Sequence, residues 1–226
     1  MMSGDAKDMT RAGATARAGS GLTPWNGWPL TVLLAGAIAG LSLWLAAMRG
    51  FEADGLRLAI RFTARTSLLL FGLAFAASAL ADLRPSPATR WLRHNRRFLG
   101  LAFAASHAVH GLAIIALART APYVFAAATS PASFVFGGLG YAAIVAMTVT
   151  SFAAPARWLG PRRWRRLHLV CGTYLLLQFA VSFGMRIPVM PNYVWFLLPL
   201  AAIAMLRLMA WRQRVSAAAA GRAAGQ

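Results

Sequence analysis

Acidic side chains are nearly missing from this chain. Five Asp and Glu stand against 23 Lys and Arg, and charged residues of both signs make up only 12%. A soluble domain carries roughly 25%, so an ordinary solvated globule is excluded. The single cysteine, Cys171, rules out an intramolecular disulfide and says nothing about redox compartment. No glycine-rich dinucleotide fingerprint follows a strand pattern and no Walker sequence occurs. The connections between apolar runs are too short for a second domain, so any chemistry must happen among helices or in a partner. Histidine is scarce as well: His94, His107, His110 and His168 are all there are.

What the chain has in abundance is apolar length. Hydrophobic residues make up 59%, and runs near the roughly 20 residues that cross a bilayer recur six times. They lie at about 29–48, 66–82, 98–117, 133–152, 168–185 and 193–210. The expected fold is all-α, a polytopic membrane bundle of six transmembrane helices covering 29–210. The Gly/Ala/Thr-rich segment 1–28 carries no cleavable signal peptide and reads as disordered and cytoplasmic, with the first span serving as signal anchor. The low-complexity tail, 211–226, reads the same way.

The net charge of +18 invites a nucleic-acid reading, but its distribution argues against one. Six spans place 17 of the 23 basic residues on one side, among them Arg84, Arg90, Arg93, Arg96 and Arg97, and the "RRWRR" run at 162–166. Only Arg49, Arg57, Arg61, Arg65, Arg119 and Arg186 fall on the other. That is the positive-inside bias, and it puts both termini in the cytoplasm. The excess also suits anionic lipid headgroups, so membrane lipids are expected partners and nucleic acid is not. Trp25, Trp28, Trp91, Trp158, Trp164, Tyr193, Trp195 and Trp211 fall near span ends, as interfacial aromatics do.

Inside the third run, "FLGLAFAASHAVHGLAIIAL", two imidazoles stand three positions apart on nearly one side of a helix. Ionisable groups in a bilayer usually line a cavity, pair up or hold a ligand. Neutral imidazole binds haem iron without adding a buried charge, and a helical bundle can hold a flat porphyrin between facing helices. The competing reading is a histidine that simply hydrogen-bonds across helices. His168 opens the fifth run directly after "RRWRR". His94, among arginines before the third run, reads as a solvated interface residue.

Three stretches, "FTARTSLLLFGLAFAASAL" (62–80), "RRFLGLAFAASHAVH" (96–110) and "RRWRRLHLVCGTY" (162–174), occur in that order. Together they resemble the second, third and fifth helices of the ferric-reductase-like transmembrane family. Within it, they are similar to the haem-binding membrane subunits of periplasmic methionine sulfoxide reductase systems. The resemblance covers roughly residues 30 to 210. It implies haem b, one or two per chain, with His110 as the third-helix ligand and His168 as the first fifth-helix ligand. The family's second fifth-helix histidine falls on Val181, where this sequence departs from the pattern. His107, one turn before His110, has no assigned family role and is an alternative ligand.

The two matched histidines do not share a depth. His110 lies about 12 residues into its span, roughly 18 Å along the axis, whereas His168 lies at the inner end of its own. Distinct levels are therefore expected: an inner one with His168 near Arg97, and an outer one where His110 faces Val181, with Gln178 a turn below. Arg65 is a candidate propionate partner or a snorkelling interfacial arginine. "RRWRR" is a candidate donor-docking surface or plain stop-transfer charge. The glycines at 137, 138 and 140 read as close-packing positions.

The implied function is that of a haem b electron-transfer subunit in a bacterial inner membrane. By resemblance, a cytoplasmic flavin reductase or a quinol supplies electrons, so FMN or quinone enters through a partner. A periplasmic molybdenum-cofactor reductase, such as one acting on oxidised methionine, accepts them. Two other classes stand beside this reading: a ferric or other metal reductase subunit, and a haem-free transporter or scaffold of the same fold.

Overall fold

A computed structural model describes residues 25–223. It is all helix: α1 (Gly27–Ala47), α2 (Ala53–Leu83), α3 (Pro87–Thr120), α4 (Pro122–Ala128), α5 (Pro131–Val149), α6 (Ala153–Gly184) and α7 (Val194–Ala223), with a 3₁₀ turn at Pro191–Tyr193. Six of these are long and apolar enough to cross a membrane. The expected all-α fold is what the described residues form, with six helices of spanning length and apolarity. The segment expected to be disordered, 1–28, lies outside the described residues except for its last four.

Local chemistry sets the joints. Gly50 and Phe51 take positive φ at the α1–α2 turn, and a β-carbon on Gly55 would stand 2.7 Å from Ala46 O, so only glycine lets the two helices close there. Ser86 caps α3: its hydroxyl accepts from Thr89 N–H, Thr89 answers with the reciprocal bond, and Pro87 occupies the first turn. Ser130, Ser133 and Pro131 repeat the device at α5. Within α6, Gly160 has φ 75° and ψ 160° beside Pro161, so the basic run enters at a kink.

The helices outrun the apolar stretches that announce them. α2 has 31 residues, about 46 Å at 1.5 Å per residue, against a hydrocarbon core of about 30 Å. Hydropathy registers only the immersed part; Ala, Leu and Arg keep the rest helical. The same cause corrects the C-terminal expectation: α7 continues to Ala223, because "SAAAA" is among the best helix-forming sequence available.

The centre of the bundle is α2, which packs on α1, α3 and α7. α5 packs on α6 and more lightly on α3. The backbones of α3 and α6, the two helices that carry the candidate histidines, do not pack closely. They meet through aromatic side chains, Phe103 with Phe179 at 6.3 Å between ring centres.

Candidate cofactor site

Small polar residues prepare the histidine pair. Thr63 and Ser67 of α2 are fully buried, and so is Ser106 of α3. Ser67 Oγ and Ser106 Oγ are 2.9 Å apart, and Thr66 Oγ1 stands 3.2 Å from the same Ser106. One turn further along, His110 Nδ1 lies 3.2 Å from Ile60 O and 3.0 Å from Thr63 Oγ1. A carbonyl oxygen can only accept, so Nδ1 carries the proton. Thr63 in turn donates to Ala59 O at 2.7 Å. The lone pair of His110 is thereby assigned to Nε2.

His107 stacks on His110 with ring centres 5.0 Å apart and planes 27° from parallel. Tyr141 of α5 covers it at 5.0 Å and donates its hydroxyl to His107 O at 3.3 Å. The edge of Phe179 from α6 reaches it at 6.1 Å. His107 Nδ1 is the one buried side-chain polar atom among the described residues without a hydrogen-bond partner. Such an atom is costly and needs a reason. Gly111 makes room for this arrangement: a β-carbon there would come within 2.8 Å of the Tyr141 oxygen.

His168 has different surroundings. Its ring stacks on Trp164 at 4.1 Å, and Nε2 is 3.0 Å from Thr150 Oγ1 at the end of α5. The Thr150 hydroxyl donates to Ala146 O at 2.6 Å, so it accepts from His168 Nε2–H. Trp164 Nε1 donates to Thr150 O at 2.8 Å. Tyr141 and Thr150 are nine positions apart on α5, which sets the two histidine levels about 14 Å apart. The two histidine positions thus stand at different depths along the bundle.

Beside His168 lies a cavity of about 860 Å³ bounded by α2, α3, α5, α6 and α7. Phe71, Phe75, Phe103 and Ile144 form its deep wall. Its other walls carry Arg93, Arg96, Arg97, Arg165, Arg207 and Arg214, against one carboxylate, Asp82. Asp82 pairs with Arg93 at 3.1 Å and with Arg214. Arg96 donates to Ser78 Oγ at 2.7 Å. Arg207 donates to Phe75 O at 2.9 Å with its guanidinium 3.8 Å above the Phe75 ring.

Of the residues expected from sequence, His107 and His110 come together, while His168 and Arg97 share the cavity. Arg97 stands over Phe98 and Phe152. Arg65 is apart from both groups, exposed and held over Phe196 at 5.3 Å and Tyr193 at 5.8 Å. His94 is exposed. Val181 does not face His110 as expected: it is 55% exposed on the outer side of α6, and Phe179 is the residue that reaches the pair. The reason is helical phase, since α6 turns Phe179 and Phe183 into the core. Sequence reasoning missed Thr63, Ser106, Asp82, Arg96 and Arg207. The i, i+4 spacings of Thr63 with Ser67 and of Ser106 with His110 were the available signal.

No group of three or more His, Cys, Asp or Glu able to hold a metal ion occurs among the described residues. Haem iron brings four ring nitrogens and asks the protein for one or two; His110 can offer one through Nε2, whereas His107, stacked against it on the same helix, cannot take the opposite face of the same ring. The anchored Nδ1 and unshared Nε2 of His110 match the way ligating histidines are usually held. Comparison with family models, curated proteins and solved structures finds no match for this chain.

Proposed function

We propose that this chain is a haem-carrying membrane subunit that passes electrons across a bacterial inner membrane. The observation that carries the reading is His110: its Nδ1 is fixed by Ile60 O and Thr63 Oγ1, which leaves Nε2 to bind iron. Beside it the unpartnered Nδ1 of His107 marks a polar atom in need of a partner.

Haem, when bound, supplies one-electron redox chemistry at a potential set by ligand and surroundings. The protein's part is to hold and insulate. Thr63 and Ile60 fix the tautomer and plane of His110. Phe103, Phe179 and Tyr141 pack around His107 and keep water from the pair. His168 has another role in this reading, since its Nε2–H is committed to Thr150 and one ring face to Trp164. It supports the cavity wall, and the chain holds one haem rather than two.

Electrons come from a cytoplasmic flavin reductase or a quinol and leave to a periplasmic reductase, with both termini cytoplasmic. The motif resemblance supports that direction, and so does the basic bias of one side. A pyridine haemochrome spectrum of the purified protein tests the reading: a b-type band is expected, and a protein without haem after expression in haem-replete cells rejects it.

A further inference from the structure

The arginine-walled cavity has a chemistry the haem reading does not use. Six guanidinium groups face a space with one carboxylate, while its deep wall is phenylalanine and isoleucine. Such a gradient suits an amphipath with an anionic head and an apolar body. The arginines are held for it: Arg96 by Ser78 and the Trp164 ring at 5.9 Å, Arg207 by Phe75 O and the Phe75 ring. The phenylalanine wall is rigid as well, because Phe75 stacks on Phe71 at 5.2 Å.

Access is lateral. Leu169 of α6 and Leu208 and Trp211 of α7 line the cavity yet are 51%, 41% and 57% exposed. The ring contact between α6 and α7 lies far away, at Phe183 with Phe196. Between the two helices the cavity thus opens through apolar side chains toward the surrounding lipid, not only toward the aqueous end where Arg93, Asp82 and Arg214 stand. A free anion has no use for such a side door, whereas an acyl chain does.

We propose that this cavity binds an anionic phospholipid, with headgroup phosphate among Arg96, Arg207 and Arg214 and acyl chain leaving between α6 and α7. Basic pockets between transmembrane helices are suited to phosphate headgroups. Asp82 is the lipid's internal competitor, holding Arg93 and Arg214 until a phosphate replaces it.

The test is native mass spectrometry of the full chain in detergent, titrated in parallel with phosphatidylglycerol, cardiolipin, phosphatidylcholine and inorganic phosphate. One saturable anionic-lipid adduct is expected, about tenfold or more tighter than phosphatidylcholine. The Arg96→Gln/Arg207→Gln protein should lose about tenfold or more in that affinity, and Arg57→Gln should lose nothing. Asp82→Asn should bind more tightly, a gain that a misfolded variant could not give. Equal binding of phosphatidylcholine, displacement by inorganic phosphate at lipid concentrations, or an unaffected double variant overturns the proposal. The haem reading is separable: His110→Ala should leave lipid binding intact. If instead the folded double variant loses haem absorbance, the cavity belongs to the cofactor, and the lipid proposal and the His110 assignment fail together; loss of lipid binding with haem retained, or the reverse, separates the two.

Discussion

Thr63 Oγ1 stands 3.0 Å from His110 Nδ1, and the two residues come from different helices. The bond settles which imidazole nitrogen keeps its lone pair, because Thr63 has already given its own proton to Ala59 O. Thr63→Val keeps the shape and removes the acceptor. Haem affinity, followed by transfer to apomyoglobin, should fall between about 10- and 100-fold. An unchanged transfer rate would mean that Thr63 only joins helices.

Packing makes its own demand at Gly172. A β-carbon there would overlap the Phe75 ring, which cannot retreat because Phe71 stacks on it and Arg207 covers it. Gly172→Ala should therefore cost about 1–3 kcal/mol, read as a lower unfolding temperature in detergent. Gly137→Ala, where a β-carbon meets nothing within 4 Å, should be neutral.

The ladder joining α2 to α3 should contribute less. Removing the Ser106 hydroxyl in Ser106→Ala ends its bonds to Ser67 and Thr66. Such interhelical bonds in membranes average about 0.6 kcal/mol in double-mutant cycles. A Ser67→Ala/Ser106→Ala cycle measured in detergent should give a coupling of that order, and a value near zero would assign the ladder no stabilising role.

These residues show how far the sequence carries the argument. Hydropathy is a sum over neighbours, so six spans were legible from composition and run length alone. The spacing of His107 and His110, and the valine at 181, were legible directly from the chain. What could not be read is pairing between helices. Thr63 and Ser106 each sit one turn from a partner on their own helix, but nothing in the chain announces that the two faces meet. Asp82 carries no signal in the sequence; only the folded bundle brings Arg93 and Arg214 to it. The tail is helical to Ala223 because the helix propensity of its alanines acts whatever the complexity of the sequence.

Orientation follows from charge and can be tested by reporter fusions. Fusions at the C-terminus and in the connection between α5 and α6 should behave as cytoplasmic, and fusions within 121–130 as periplasmic. A periplasmic C-terminus would reverse the proposed direction of electron flow.

Under the proposed reading the electrons come through a partner. Hydride from NADH needs a flavin to become single electrons for haem, and the connections leave no room for a nucleotide-binding βαβ unit of roughly 30 residues. The purified protein mixed with NADH alone should stay oxidised, and a flavin reductase or quinol should reduce it. If the exposed arginines at 162, 163, 165 and 166 dock an acidic donor, that reduction should slow as salt rises.

The central claim is that His110 Nε2 holds one haem. The direct measurement is a reduced-minus-oxidised spectrum with haem quantified per chain, on the parent protein and on His110→Ala and His168→Ala. One b-type haem per chain is predicted, absent from His110→Ala and retained in His168→Ala. Full haem in His110→Ala, or its loss only in His168→Ala, would contradict the account.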